Sequence, residues 1–211
     1  MQVNSDNKVE LVGWYGNDEI HALSAWTSTS RDLTDDKRNR VPALLKMLAD
    51  NGHHTPFEKS SLHFLVTTDI ATHIHILKMR IGVSCNSESA RYKELKDDKC
   101  YVPKDWPQDE QDKYISFMEN AYKQYHDTLD RLVASGIDRK RAKESARFYL
   151  PYGNQITADI MFNWRSFNHF LNLRMKPDAQ REICWLAEEM LAQVKNIDGN
   201  PFQHTIKALG Y

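Results

Sequence analysis

"SLHFLVTTDIATHIHILKMRI", Ser61–Ile81, changes its hydrophobic period halfway along. From Ser61 to Asp69, apolar residues alternate with polar ones, which predicts a strand. From Ile70 the period lengthens. Ile70, Ile74, Leu77 and Ile81 fall within a narrow arc at about 100° per residue. The spacing predicts a helix over 70–81 with those four residues facing a core. Thr72, His75 and Met79 then lie on the opposite side, flanked by Lys78 and Arg80. Strand followed by helix points to a chain that mixes both element types.

The flanking sequence supports this reading. "VELVGWYG", Val9–Gly16, reads as a strand ended by glycines, and "NQITADIMFNW", Asn154–Trp164, is β-like. "RNRVPALLKMLADNG" reads as a helix with Gly52 as its stop. "PQDEQDKYISFMENAYKQYHDTLDRLVASG" is a long helix with Pro107 near its start, acidic residues in its first turn and Gly136 after its end. "DRKRAKESARFYLP" is another, with Asp138 as N-cap and Pro151 beyond its end. "RSFNHFLNLRM" and "DAQREICWLAEEMLAQVK" are helical. The result is one helix-dominated domain over 1–211 with a few strands in one sheet.

Charge narrows the function. Lys+Arg (28) and Asp+Glu (29) nearly cancel, whereas a general nucleic-acid binder usually carries a basic excess. No apolar run approaches the roughly 18 residues of a membrane span. The start, "MQVNSDNKVELVGWYG", lacks an apolar core of the secretory kind. Three widely spaced cysteines, Cys85, Cys100 and Cys184, argue against a disulfide framework and for a reducing compartment. A cytoplasmic protein with no nucleic-acid or membrane partner is expected.

Three segments carry more polar chemistry than a fold demands: "GHHTPFEKSS", "KMRIGVSCNSESARYKEL", and "ARFYLP" together with "NWRSFNHFLNLRMKPDAQREI". In "SESAR" the groups Ser87, Ser89 and Arg91 alternate, so an extended loop points them to one side. Arginine forks and serine hydroxyls suit phosphate. A solvated charged loop is the alternative. Arg165 and Arg174, nine residues apart, face opposite sides of one helix, with His169 one turn after Arg165 on its side. His53, His54, His73 and His75 cluster in sequence, but no metal-binding spacing accompanies them. No metal is expected. There is no nucleophile elbow, phosphate-binding glycine loop or dinucleotide fingerprint.

These segments together resemble the flavin-dependent thymidylate synthase family. "GHHTPFE" resembles its H-x-T-P-F-E. "RIGVSCNSESARY" resembles its R-H-R-x-x-S-x-N-x-x-S-x-R through Arg80, Ser84, Asn86, Ser89 and Arg91. "ARFYLP" and "NWRSFNHFLNLRMKPDAQREI" resemble two further family segments. There are three departures. Lys78 stands where arginine is usual, Met79 where histidine is usual, and one extra residue separates Arg80 from Ser84.

The resemblance implies an α+β fold with a central, mostly antiparallel sheet and several long helices, assembled as a homotetramer. It implies conversion of dUMP to dTMP with methylenetetrahydrofolate as carbon donor, FAD as cofactor, NADPH as reductant and no protein nucleophile. By resemblance, Arg174 is catalytic. His75, Lys78, Ser87, Glu88, Ser89, Ala90, Arg91, Arg147 and Arg174 would meet dUMP. His53, Thr55, Lys78, Met79, Arg80, Ser87, Asn163, Trp164, Arg165 and His169 would meet FAD. A related modification of dUMP, such as hydroxymethylation, or nucleotide binding without turnover, remain the alternatives.

Overall fold

The computed structural model describes residues 6–91, 94 and 97–211. Its elements run β1 (Lys8–Tyr15), α1 (Asp18–Trp26), α2 (Asp35–Asp50), β2 (Ser61–Asp69), α3 (Ile70–Leu77), β3 (Val83–Ser87), α4 (Gln108–Ala134), α5 (Arg139–Ala146), β4 (Gln155–Phe162), α6 (Trp164–Arg174), α7 (Arg181–Lys195) and α8 (Gln203–Ala208). The four strands form one antiparallel sheet in the order β1-β2-β4-β3. This is the α+β class expected from the sequence.

The chain divides into two compact units. Among the described residues, the first takes in 6–8, Val66–Ile76 and Asn86–Ala158, and the second takes in Val9–Leu65, Leu77–Cys85 and Asp159–Tyr211. The first unit is built on α4, whose Met118, Tyr122, Tyr125 and Leu129 are buried at helical spacing. Met118 and Tyr122 pack with Cys100 and Val102, while Tyr125 and Leu129 pack with Ala142 and Ala146 of α5. Burying each such large side chain contributes roughly 1.5–3 kcal/mol. The Tyr122 hydroxyl donates to the Lys99 carbonyl, so its polar end is satisfied as well.

The second unit has an aromatic core of Phe64, Phe162, Trp164, Phe167, Phe170 and Phe202, all fully buried. Phe64 stacks on Phe167 with ring centroids 5.7 Å apart. A buried polar strut lies in the same unit. Asp18 Oδ1 accepts from Thr205 Oγ1 at 2.6 Å and from the Thr205 amide at 2.8 Å. Thr205 Oγ1 lies 2.8 Å from His21 Nδ1, and His21 Nε2 lies 2.8 Å from Ser60 Oγ. Because the Thr205 hydroxyl donates to the carboxylate, it accepts from His21 Nδ1. That leaves Nε2 to accept from Ser60. Burial lowers His21 to about 4, which keeps the ring neutral.

Three expectations need correction. The helix predicted over 70–81 ends at Leu77, and its buried residues are Thr72, His73 and Ile76. Leu77 and Ile81 are instead 47% and 86% exposed. The phase is set by β2 running straight into the helix. Its first amides are already bound: Ile70 N to Asn154 O, Ala71 N to Tyr152 O, and Thr72 N to Asp69 Oδ1. The serine-rich loop, in turn, is a strand over Val83–Ser87. It lies at one end of the strand order, so it pairs on one side only and tolerates a polar sequence. The helix expected between Asp138 as cap and Pro151 beyond its end is also shorter. Asp138 caps it as predicted, but it ends at Ala146 and tightens into a 3₁₀ turn, Arg147–Tyr149. Helices α1 and α8 were not anticipated.

Candidate active site

In the second unit a cavity of about 630 Å³ gathers six of the residues expected to meet the flavin: Lys78, Met79, Arg80, Asn163, Arg165 and His169. Lys78–Arg80 reach it because α3 stops at Leu77 and the chain turns. Arg165 and His169 reach it from one side of α6. Arg174, half a turn round the same helix, does not line it. The opposed placement read from the sequence is therefore realised.

Gly82 explains how the additional residue between Arg80 and Ser84 is accommodated. It sits at φ +66°, in the left-handed region that favours glycine. Its carbonyl accepts from Asn163 N at 3.2 Å. Asn163 caps α6 through Oδ1, accepting from Ser166 N at 2.9 Å, and Ser166 Oγ donates to Ile81 O at 2.6 Å. The loop thus locks onto the start of the helix that carries Arg165 and His169.

The cavity's electrostatics are those of an anion site. Arg165 Nη1 pairs with Glu58 Oε1 at 2.6 Å. Lys78 and Arg80 make no ion pair among the described residues and face the cavity with their charge uncompensated. An anionic, hydrogen-bonding cofactor matches this donor set. Glu58 was missed as a site residue, although it closes the H-x-T-P-F-E segment that the sequence singled out.

Other flavin candidates lie elsewhere. His53 and Thr55 line a separate cavity of about 510 Å³ beside Trp26 and Met47; it is His54 that lines the main one. The Trp164 side chain is fully buried against Phe167 and Phe202, so only its backbone can meet a ligand.

The first unit holds the residues expected to meet the dUMP phosphate. Ser87 ends β3, and its hydroxyl lies 2.9 Å from His73 Nε2. His73 is buried, which lowers its pKa, and its Nδ1 has no hydrogen-bond partner among the described residues. No sequence signal marks its contact with Ser87, because fourteen positions separate the two residues. Glu88 is tied to β4, its amide to Thr157 O and its carboxylate to Thr157 N. Ser89 Oγ accepts from Arg91 N at 3.3 Å, closing a turn. Ala90 packs on the Ala142–Ala146 cluster. Arg91 Nε pairs with Glu144 Oε1 at 3.0 Å. The turn therefore lies against α5, whose end carries exposed Arg147. His75, beside buried His73, is half-buried.

Burial lowers the Arg174 guanidinium from its ordinary value. Cys100 is pushed up to about 11 by burial and by Glu119, and Cys184 is raised by burial. Both are therefore held as thiols and are poor nucleophiles. Among the described residues no three His, Cys, Asp or Glu side chains are placed to hold a metal ion. No helix among them is long and apolar enough to cross a membrane.

Residues 10–198 match the family described as thymidylate synthase complementing protein. The chain is 31% identical to the flavin-dependent thymidylate synthase of Streptomyces coelicolor, over 92% of this chain and 88% of that one. It is 32% identical to that of Tropheryma whipplei, over 85% of each. The fold superposes on the UMP/dUMP methylase PolB from Streptomyces cacaoi bound with 5-Br dUMP, with a TM-score of 0.79. Identity there is 30%, covering 99% of this chain and 96% of the other. The same enzyme bound with 5-Br UMP gives a TM-score of 0.77 at 29% identity, covering 98% and 94%.

Proposed function

This chain belongs to the family of flavin-dependent thymidylate synthases, and from that premise we propose that it converts dUMP to dTMP with methylenetetrahydrofolate as carbon donor, FAD as its flavin and NADPH as reductant. The observation that carries the reading is the 630 Å³ cavity with Lys78 and Arg80 uncompensated on its wall. FAD, when bound, supplies the hydride that reductive methylation requires.

This chain's own residues bind and orient. Lys78, Arg80, Asn163, Arg165 and His169 hold the cofactor, Met79 packs against it, and the Trp164 backbone completes its contacts. Ser89, Arg91 and Arg147 hold the dUMP phosphate, with Ser87, Glu88 and Ala90 shaping the turn and His73 positioning Ser87. His75 and Lys78 face the nucleotide. Arg174 stabilises negative charge at the N3–C2 edge of uracil, which activates C5. A fixed cation in a partly desolvated place stabilises such charge more strongly than one in water. The assembly is a homotetramer whose sites share residues of several subunits, located in the cytoplasm.

The test is the absorption spectrum of the purified protein, with product analysis. Bound flavin that is bleached by NADPH, and dTMP formed from dUMP and the folate, are expected. Colourless protein that takes up no FAD would overturn the reading. A hydroxymethylated product, or binding without turnover, would replace it with the corresponding alternative.

A further inference from the structure

A third cavity, of about 470 Å³, opens in the second unit where the end of β1, α1, the connection after α1 and the start of β2 meet. Its polar lining is largely uncommitted. Arg31 and Lys59 make no ion pair among the described residues, and the hydroxyls of Tyr15, Ser24 and Ser61 make no hydrogen bond among them. The other hydroxyls are occupied: Thr27 Oγ1 donates to Leu23 O at 3.0 Å, and Ser60 Oγ is engaged by His21. The one carboxylate in the lining, Glu58, has an oxygen bound to Arg165 at 2.6 Å, so its charge is already compensated.

Two unpaired cations with three free hydroxyls form a donor set for a phosphate ester. Tyr15, 63% exposed, and Ile20 add an aromatic and apolar wall of the kind on which a base stacks. Position gives the third argument. Glu58 lines this cavity and the 630 Å³ cavity alike, so the two share a wall.

We propose that this cavity binds the phosphate-bearing part of the dinucleotide reductant, with Arg31 and Lys59 on phosphate and Tyr15 against a base. This rests on the flavin-enzyme reading above, and it adds a site for the reductant that the sequence pattern did not contain. Arg31 and Lys59 are binding residues and take no part in the chemistry.

The test uses the FAD-loaded enzyme and follows anaerobic bleaching of the flavin as a function of NADPH concentration. Arg31→Ala and Lys59→Ala should each raise the NADPH concentration for half-maximal rate about tenfold, the usual effect of losing one charge-assisted contact. The double variant should be weaker still. Flavin content, thermal midpoint and dTMP formation with dithionite in place of NADPH should not change. An equal loss with NADH assigns the cations to the diphosphate, and a loss with NADPH alone assigns them to the ribose phosphate; both support the proposal. Inorganic phosphate should compete with NADPH in the unmodified enzyme. An unchanged NADPH dependence in the double variant overturns the proposal. So does inorganic phosphate that binds through Arg31 and Lys59 without competing with NADPH, since the cavity would then serve a free anion. Failure of the enzymatic reading is separate, because it appears as no dTMP from dithionite-reduced unmodified enzyme.

Discussion

Gly82→Ala is the substitution whose cost the structure specifies best. Gly82 sits at φ +66°, which for a residue with a Cβ costs roughly 1–2 kcal/mol. A Cβ there would also stand 2.5 Å from Asn163 Nδ2 and closer still to Ser166 Oγ. Neither side chain is free to move without loss. Asn163 caps α6, and Ser166 holds the Ile81 carbonyl. Giving up the cap costs about 1 kcal/mol. The total is roughly 2–3 kcal/mol, concentrated at the helix start that orients Arg165 and His169. Chemical denaturation should show that loss, and FAD titration should show weaker binding. A variant with unchanged denaturation midpoint and unchanged FAD affinity would refute the claim that Gly82 anchors the loop to α6.

Three further outcomes are expected. Arg174→Ala should abolish dTMP formation while circular dichroism and the oligomer's sedimentation stay unchanged; near-normal turnover would remove Arg174 from the chemistry. Met79→His should alter activity only modestly, because Lys78 and Arg80 already place charge on the same cavity; a gain of several orders of magnitude in steady-state rate would show instead that the natural methionine cripples the enzyme. Stability should fall on acidification. His21 is lowered by burial from 6.5 to about 4, so below pH 6.5 the unfolded chain takes up a proton that the folded chain refuses. The loss reaches about 3 kcal/mol near pH 4. His73, also lowered, acts in the same direction. Asp18, raised by burial, opposes them by binding its proton more readily when folded. Urea denaturation between pH 7 and 4 measures the slope, and a flat profile, or an equal slope in His21→Gln, would contradict the role given to the strut.

The strand over 61–69 was legible because one of its faces is buried, and burial imposes alternation. Strand β3 was not legible. A five-residue polar segment paired on one side only has the composition of a solvated loop. The face of α3 was misjudged because a helical projection weighs the side chains alone. Here the amides bound at the start of the helix set its phase. Helix α1 did carry a signal, Asn17 as cap with Asp18 and Glu19 in the first turn; the six residues of α8 carried little. In the site, local motifs exposed Lys78, Arg80, Arg165 and His169. Long-range partners stayed hidden. Arg165 and Glu58 lie 107 residues apart, and the members of the strut at 18, 21, 60 and 205 share no motif.

The central claim is tested most directly by an anaerobic reaction of the purified, FAD-loaded protein with dUMP, methylenetetrahydrofolate and NADPH, read by chromatography of the nucleotides. The account predicts dTMP in step with reoxidation of the flavin, and none when either FAD or the folate is left out. Flavin that cycles while dUMP is recovered unchanged would contradict it.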